Sequence, residues 1–473
     1  MQYFSKMAAF SRVTRTLKQP LASLNKIWRN FGQPVSQTHP ELLREDEVTP
    51  GITRKEYNQR RLNLIEHIQN SLNRKDVIAV IPSASTHYMS YEVPYPFRQD
   101  TDFMYLTGFQ EPDSCLVFDL RENKSILFVP KKDPMRERWD GLRMGSEKAL
   151  TFTCVDETYN NDMLPNYLKK NCQQNLILYD YKHDSDYING IIRSEVDKSV
   201  AQPINFYIHK LRLTKSKSEI ELMRKTCQIA SEMFIETMKF SKIGVNEAHI
   251  HSKLDFECRQ RNAQHLAFPP VVAGGGRGTI IHYLNNNRQI NDEMVLVDAG
   301  SELHGYVSDV TRTWPVGGRF KPEHLALYEG LLEVQQKVLQ ACVKNVCLED
   351  LYLLMLDLLG SQLKRIGVIK ESVKGMDIKR LVRQICPHHV GHFLGMDVHD
   401  THTIPRGTQL HHGMIITVEP GIYITNDMAF VPEYFRNTAI RIEDDVLITD
   451  GEPDILTKNC PKLASDIEKL VNC

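Results

Sequence analysis

The stretch MVLVDAGSELHGYVSDVTRTWP, residues 294–315, places two aspartates in a pattern typical of a β-hairpin. Asp298 ends the apolar run MVLV, and Asp309 follows eleven residues later, after the polar SELHG. With a turn centred near Leu303 and His304, the two aspartates lie opposite each other in an antiparallel pair, with Cβ atoms about 5 Å apart. Like charges so placed destabilise a sheet unless cations lie between them or one carboxyl is protonated.

Two glutamates farther along the chain lie in strand-like runs. Glu419 stands in ITVEPGIY and Glu443 in AIRIEDD, and strand alternation turns both carboxylates away from their apolar neighbours. The run CPHHVGHFLGMDVHD, residues 386–400, adds four histidines: His388, His389, His392 and His399. Any one of these acids or rings alone is more often a surface cap or a satisfied polar group. Four strand-borne acids beside a histidine cluster favour a metal site.

The predicted ligand set is rich in carboxylate oxygens, with one imidazole. Such a set suits two Mn²⁺-like ions rather than a structural zinc bound by thiolates. Two ions about 3.5–4 Å apart share a bridging hydroxide and lower the pKa of water to near neutrality. The sequence therefore predicts a hydrolase.

Five motifs make the sequence resemble the aminopeptidase P and prolidase family of pita-bread metallopeptidases. They are IIHYLNNN, LVDAGSELHGYVSDVTRTWP, HHVGHFLGMDVHD, TVEPGIYI and AIRIEDDVLIT, in the family's order, and the resemblance covers nearly everything after residue 40. It implies five metal ligands: Asp298 on one ion, Asp309 and Glu443 bridging both, and His392 and Glu419 on the other. It also implies that Glu419 accepts a proton from the bridging water. The implied substrate-site and catalytic histidines are His282, His388 and His399.

Two more residues are assigned to the substrate site. Arg441 shares the strand face of Glu443, which predicts that it orients a carboxylate ligand. Phe268 stands just before two prolines and is assigned to the wall of the substrate pocket, with ordinary packing as the alternative. Both assignments place supporting groups around the predicted ions.

The length of 473 residues predicts more than one domain. Short apolar runs over residues 51–210 favour an α/β domain, in which FRQDTDFMYLTGFQEPDSCLVF and RWDGLRMG resemble the non-catalytic domain of aminopeptidase P. Residues 211–460 open on a capping box, Ser216 with Glu219, and mix helices with antiparallel strands. The resemblance makes them a pita-bread catalytic domain. The predicted fold class is α/β (α+β), with residues 461–473 as a C-terminal tail.

Residues 1–50 are predicted to be a mitochondrial transit peptide and linker. The first 40 residues contain six Lys or Arg and no Asp or Glu, with apolar residues near helical spacing. A disordered basic tail is the alternative, and a form without the leader would be cytoplasmic. FGQPVSQTHPELLREDEVTPGITRKEYNQRR resembles the mitochondrial Xaa-Pro aminopeptidases, including the intermediate-cleaving peptidases. This resemblance implies trimming of imported proteins, in the matrix.

Composition argues against several other partners. Lys+Arg 58 against Asp+Glu 59 gives a net charge of −1, so no global field favours nucleic acid. No run approaches the roughly 18 apolar residues that a membrane span requires. Ten cysteines without a C-x-x-C pair predict reduced thiols rather than a disulfide framework or a zinc ribbon.

The predicted function is release of the N-terminal residue of a peptide or protein, preferentially one that precedes proline. The resemblance implies a homodimer, since relatives pair through the N-terminal domain. A prolidase restricted to Xaa-Pro dipeptides is the alternative within the class, and it needs groups that clamp the free carboxylate of its substrate. A catalytically inactive binding protein with the peptidase fold is the alternative from another class. The presence of all five ligands argues against it.

Overall fold

The computed structural model describes residues 31–172, 174–181, 187–197 and 201–473. Residues 1–30, which hold most of the predicted transit peptide, lie outside the described residues. Within the described residues, no helix has both the length and the apolarity that a bilayer-spanning segment requires. Two parts follow one another along the chain and meet at residues 213–216.

The N-terminal part, residues 47–212, is built around a six-stranded mixed sheet. Its elements are β1 Glu47–Thr49, β2 Ile52–Thr53, α1 Arg54–Leu72, β3 Val77–Pro82, β4 Tyr88–Ser90, β5 Val93–Pro94, α2 Thr101–Thr107, β6 Cys115–Asp119, β7 Lys124–Val129, α3 Pro134–Asp140, α4 Ser146–Thr153, β8 Glu157–Asn160, α5 Leu164–Asn171, β9 Leu176–Leu178, α6 Tyr187–Glu195, β10 Ala201–Gln202 and α7 Asn205–Arg212. The sheet runs β10-β9-β3-β6-β7-β8, with β3 parallel to β9 and antiparallel to β6. Buried apolar strands thus alternate with helices.

The C-terminal part, residues 217–471, places short antiparallel sheets between long helices. Its elements are α8 Lys217–Phe240, α9 Glu247–Gln260, β11 His265–Leu266, β12 Val271–Gly274, β13 Met294–Ala299, β14 Ser301–Leu303, β15 Tyr306–Val307, β16 Val310–Pro315, α10 Pro322–Gln340, α11 Leu348–Ile366, α12 Met376–Ile385, β17 Ile415–Val418, β18 Gly421–Ile424, β19 Thr438–Arg441, β20 Asp444–Leu447, β21 Asp454–Ile455 and α13 Ala464–Val471. Strands β12, β13 and β16 form one sheet, β17, β20 and β21 another, and β18 pairs with β19.

The predicted capping box begins the C-terminal part. Ser216 Oγ accepts a hydrogen bond from the Glu219 backbone N–H at 3.2 Å, and Glu219 Oε2 accepts one from the Ser216 backbone N–H at 2.8 Å. The two bonds satisfy N–H groups that a helix start leaves without intrahelical partners. They fix the start of α8 at the junction of the two parts.

The hairpin that carries the two aspartates turns one position later than predicted. His304, with φ 54°, and Gly305, with φ 85°, form a two-residue turn, because tight hairpins of this kind require positive φ at both central positions. Asp298 therefore pairs with Thr311. The prediction that Asp298 and Asp309 are direct cross-strand partners is wrong, and the two lie diagonally, with Asp309 just before β16.

Two large apolar clusters hold the described chain together. One lies within the C-terminal part and includes Phe234 and Trp314, whose rings meet edge-on with centroids 6.4 Å apart. The other spans both parts, from Phe118 of β6 to Val307 of β15 and Ile415 of β17. Because burial of apolar side chains is the main favourable term in folding, this shared cluster packs the two parts against each other.

Acidification is expected to destabilise the fold through His209 of α7. The ring is buried between the two parts, and its Nδ1 lies 2.8 Å from Thr403 Oγ1. Burial lowers the pKa of His209 from 6.5 to about 4. Between these values the unfolded chain binds a proton that the folded chain does not. Stability is therefore lost as the pH falls through this window, by up to about 3 kcal/mol.

Thermal unfolding at about pH 7 and about pH 5 measures this loss. His209→Gln is expected to show a smaller fall in Tm between the two pH values than the wild type, because the proton-linked difference at this position is gone. His412→Gln, which alters an exposed ring, serves as the matched control and should keep the wild-type fall. An identical fall in all three proteins would contradict the prediction.

Candidate metal centre

Four carboxylates converge from strands or strand ends of the C-terminal part. Asp298 lies in β13, and Asp309 immediately precedes β16. Glu419 and Glu443 do not lie within strands, since β17 ends at Val418 and Glu443 falls between β19 and β20. Glu419 is followed by proline, which has no N–H to continue a ladder. Each of the two predicted strands is therefore broken at its glutamate, and there the carboxylate points toward the other acids.

His392 reaches the acids from the loop that precedes β17. Its backbone N–H donates to Thr417 Oγ1 at 3.1 Å, and its carbonyl accepts from the Thr417 backbone N–H at 2.9 Å. A Cβ on the preceding Gly391 would lie 2.0 Å from the Thr417 carbonyl oxygen, so this close approach requires glycine. His392 Nδ1 lies 3.1 Å from the Phe393 carbonyl oxygen and donates to it, which leaves Nε2 free as a ligand.

The ligand atoms lie close enough to share an ion. His392 Nε2 is 3.3 Å from Asp309 Oδ2 and 3.7 Å from Glu419 Oε1. Asp309, His392 and Glu443 each offer a ligand atom, and these atoms all lie within 4.8 Å of one another. Oxygen ligands with one imidazole nitrogen are the donors that Mn²⁺-like ions accept.

Protein donors balance only part of the charge of the four acids. Burial, then repulsion from neighbouring carboxylates, raises the pKa of Asp309 and of Glu443 well above the ordinary range. Asp298 Oδ1 and Asp309 Oδ1 are buried and accept no hydrogen bond from any described residue. A buried carboxylate oxygen without a donor is costly unless a cation compensates it. The donor set therefore fits divalent cations.

Arg441 is buried behind the acids and orients two of them. Its Nη2 donates to Asp298 Oδ2 at 2.6 Å, and its Nε donates to Thr311 Oγ1 at 2.9 Å. Thr311 Oγ1 in turn donates to Glu443 Oε2 at 2.6 Å. Thr311 was missed by the sequence reasoning, although it lies two residues after Asp309, on the same strand face.

His388 lies at the edge of the acid cluster. Its Nδ1 is 2.8 Å from the His389 carbonyl oxygen and 3.8 Å from Glu419 Oε2. Its Nε2 is 2.9 Å from Tyr423 Oη, which also accepts from Arg441 Nη1 at 2.7 Å. Tyr423 thus links the His388 imidazole to the Arg441 guanidinium. The sequence reasoning also missed this residue, although it lies in the family motif TVEPGIYI.

His399 and His282 lie at the open side. The His399 ring is exposed, and its centroid is 4.5 Å from that of His392. Desolvation lowers the pKa of His399, and the neighbouring His392 and His282 act in the same direction against the effect of Glu419. Phe268 is half-buried three residues before β12, so its assignment to the substrate pocket stays a prediction.

A second buried charge cluster lies behind Glu443. Arg312 Nη2 donates to Asp444 Oδ1 at 2.8 Å, and neither side chain is exposed to solvent. Arg312 also donates to the carbonyl oxygens of Glu443, Cys460 and Pro461. These bonds fix the backbone on which the Glu443 carboxylate is mounted.

Two known protein families match this chain, one in each of its two parts. The profile of metallopeptidase family M24 matches residues 221–450, and that of the aminopeptidase P N-terminal domain matches residues 57–179. Xaa-Pro aminopeptidase 3 of Homo sapiens is 46% identical over 460 residues, which cover 93% of this chain and 90% of the relative. This chain belongs to metallopeptidase family M24.

Other members of the family support this assignment. The mitochondrial intermediate cleaving peptidase 55 of Arabidopsis thaliana is 37% identical over 454 residues, with 94% of this chain and 88% of the relative covered. The crystal structure of Icp55 from Saccharomyces cerevisiae superposes with a TM-score of 0.81 at 33% identity, covering 90% of this chain and 99% of that one. The predicted family and the predicted fold class, an N-terminal domain followed by a pita-bread catalytic domain, are confirmed. The chain is a metal-dependent peptidase of the aminopeptidase P type.

Proposed function

We propose that this M24 member releases the N-terminal residue of peptides whose second residue is proline. Five residues would hold two divalent metal ions: Asp298, Asp309, His392, Glu419 and Glu443. The observation that carries the proposal is the convergence of Asp309, His392 and Glu443, whose ligand atoms lie within 4.8 Å of one another, with Glu419 Oε1 3.7 Å from His392 Nε2. Asp298 Oδ1 and Asp309 Oδ1 are buried and accept no hydrogen bond from described residues. Relatives named Xaa-Pro aminopeptidase 3 supply the substrate class.

The residues around the ligands have distinct roles in this proposal. When bound, divalent ions lower the pKa of water to near neutrality. Glu419 accepts the proton of the attacking water and passes it to the leaving amine. Arg441 and Thr311 hold the Asp298 and Glu443 carboxylates in place.

The histidines contact substrate in the same scheme. Three imidazoles bind the scissile carbonyl oxygen or the substrate amine and transfer protons during the reaction: those of His388, His399 and His282. Phe268 lines the pocket for the residues on either side of the cleaved bond. The hydrogen bond between His388 and Tyr423 supports the assignment of His388, because it fixes the ring 3.8 Å from Glu419.

The cellular assignment rests on the names of relatives together with the basic leader. We propose that residues 1–50 are a transit peptide and linker, and that the transit peptide directs the chain to the mitochondrial matrix, where the enzyme trims imported proteins with Mn²⁺ as the metal. The names of the intermediate cleaving peptidases support this assignment. Residues 51–210 and 211–460 are the proposed domains, residues 461–473 the proposed tail, and a homodimer the proposed assembly.

Hydrolysis of a peptide series by metal-stripped protein tests the proposal. Tripeptides and longer Xaa-Pro peptides are expected to lose their first residue once Mn²⁺ is restored, because ions bound there would lower the pKa of the water that attacks the peptide bond. Co²⁺ and Zn²⁺ are compared in parallel, and matched peptides with alanine in place of proline control for specificity. Mass spectrometry measures the products. Cleavage of dipeptides alone indicates a prolidase, and no cleavage with any metal indicates a binding protein.

A further inference from the structure

The loop that carries His399 is anchored to the N-terminal part on both sides of the histidine. Asp397 Oδ1 accepts from Thr101 Oγ1 at 2.7 Å and from both terminal nitrogens of Arg98 at 3.4 Å. Arg98 Nη2 also donates to the Met396 carbonyl oxygen at 2.8 Å. The motif FRQDTDF of the first part thus meets the motif GMDVHD of the second.

The other side of the histidine is held by a more deeply buried charge cluster. Asp400 accepts hydrogen bonds from Arg212 and, at 3.0 Å, from Lys215 Nζ. Arg212 also bonds Asp397 Oδ2 at 2.8 Å and Asp102 Oδ1 at 2.6 Å. Because Arg212 and Asp400 are both buried, their charges interact with little solvent screening.

These contacts leave His399 as the exposed side chain of a clamped loop. Val398 packs against the apolar cluster that spans both parts, and the His399 ring lies 4.5 Å from the His392 ring. A loop fixed at the positions before and after a residue restricts the directions that its side chain takes. Small misplacements of a group that contacts the reacting atoms reduce turnover strongly.

We infer that Arg98 and Thr101 of the N-terminal part act through Asp397 as positioning residues for His399. The inference rests on the proposed role of His399 in contacting substrate. If so, residues of the N-terminal part affect the turnover of the site in the C-terminal part of the same chain. Arg98 also bonds Glu302 of β14 at 2.7 Å, so the same side chain joins the hairpin of Asp298 to the loop of His399.

A double-mutant cycle with His399→Asn tests the inference on a Xaa-Pro tripeptide. Asp397→Asn, which keeps shape but removes charge, is expected to lower kcat about tenfold, with metal content unchanged and KM within about twofold. In the His399→Asn background the same change should cost less than about twofold, because residues acting as one unit are not additive. Thr101→Val removes one donor to Asp397 and should lower kcat about fivefold. It keeps the test valid where Asp397→Asn does not fold.

Arg121→Gln is the matched control, since Arg121 has 38% of its side chain exposed against 39% for Arg98 and, among the residues that the structure describes, bonds only to the N-terminal part. It should retain wild-type kcat. Full additivity with His399→Asn, or loss of metal from Asp397→Asn, would overturn the inference. If kcat is unchanged in Asp397→Asn and Thr101→Val but reduced in His399→Asn, the positioning inference is wrong while the proposed role of His399 stands. Unchanged kcat in His399→Asn itself shows that the role of His399 is wrong, and the inference falls with it.

Discussion

Glu419→Ala is expected to lower kcat on a Xaa-Pro tripeptide by at least about 10³-fold. The variant removes a carboxylate that lies 3.7 Å from His392 Nε2 and 3.8 Å from His388 Nδ1, and with it the proposed metal ligand and proposed proton acceptor. General-base catalysis alone contributes about 10²–10⁴-fold, and loss of a ligand adds to that. Initial rates with Mn²⁺ in excess measure the effect.

Glu419→Gln separates the two roles of this residue. The amide keeps one oxygen for a cation but accepts no proton near neutral pH, so metal content should fall less than turnover. Glu433→Ala, which removes an exposed glutamate of the same part, is the control and should retain activity. Unchanged turnover in Glu419→Ala would exclude Glu419 from the mechanism.

Asp309→Asn is expected to abolish activity while stabilising the metal-free protein. Burial and the nearby carboxylates of Asp298, Asp445 and Glu419 raise the pKa of Asp309, so its carboxyl is unfavourable in the fold without cations. An amide in its place cannot ionise, and it places a hydrogen-bond donor among the neighbouring acceptors. We expect a gain of about 2 kcal/mol in the free energy of unfolding in the presence of a chelator.

The order of Tm values checks this second prediction. In chelator, Asp309→Asn should unfold at a higher temperature than the wild type, and added Mn²⁺ should raise the Tm of the wild type alone, because only that protein binds the ions tightly. Asp292→Asn, an exposed aspartate, controls for the general effect of removing a charge. A lower Tm for Asp309→Asn than for the wild type in chelator would show that the acid cluster does not strain the metal-free fold.

The sequence predicted the family and the fold class because both depend on motifs in a fixed order. The spacing of the two aspartates did not predict the register of the hairpin that carries them. Gly305 was the signal that could have done so. A glycine after His304 favours a turn at those two residues, and a shift of the turn by one position moves every cross-strand pair by two. Asp298 thereby pairs with Thr311, the residue that also bonds Glu443.

Contacts between distant segments could not be predicted from one sequence. Arg98 and Asp397 are 299 positions apart, and nothing local in either motif specifies the other. The hydrogen bonds of Tyr423 to His388 and Arg441 likewise depend on how β18 and β19 pack beside the histidine loop. Periodicity assigns a residue to a face, but which side chain it meets there depends on tertiary packing.

The bonds of Arg312 bear on the timing of maturation. Its guanidinium donates to the carbonyl oxygen of Glu443 and also to those of Cys460 and Pro461, and Lys462 pairs with Asp444, the carboxylate partner of Arg312. A nascent polypeptide that emerges amino end first lacks the contacts to Cys460, Pro461 and Lys462 until those late residues have left the ribosome. A truncated translation product ending near residue 455 would therefore carry every predicted ligand but lack the three later residues that help to hold Arg312 and Asp444 beside Glu443.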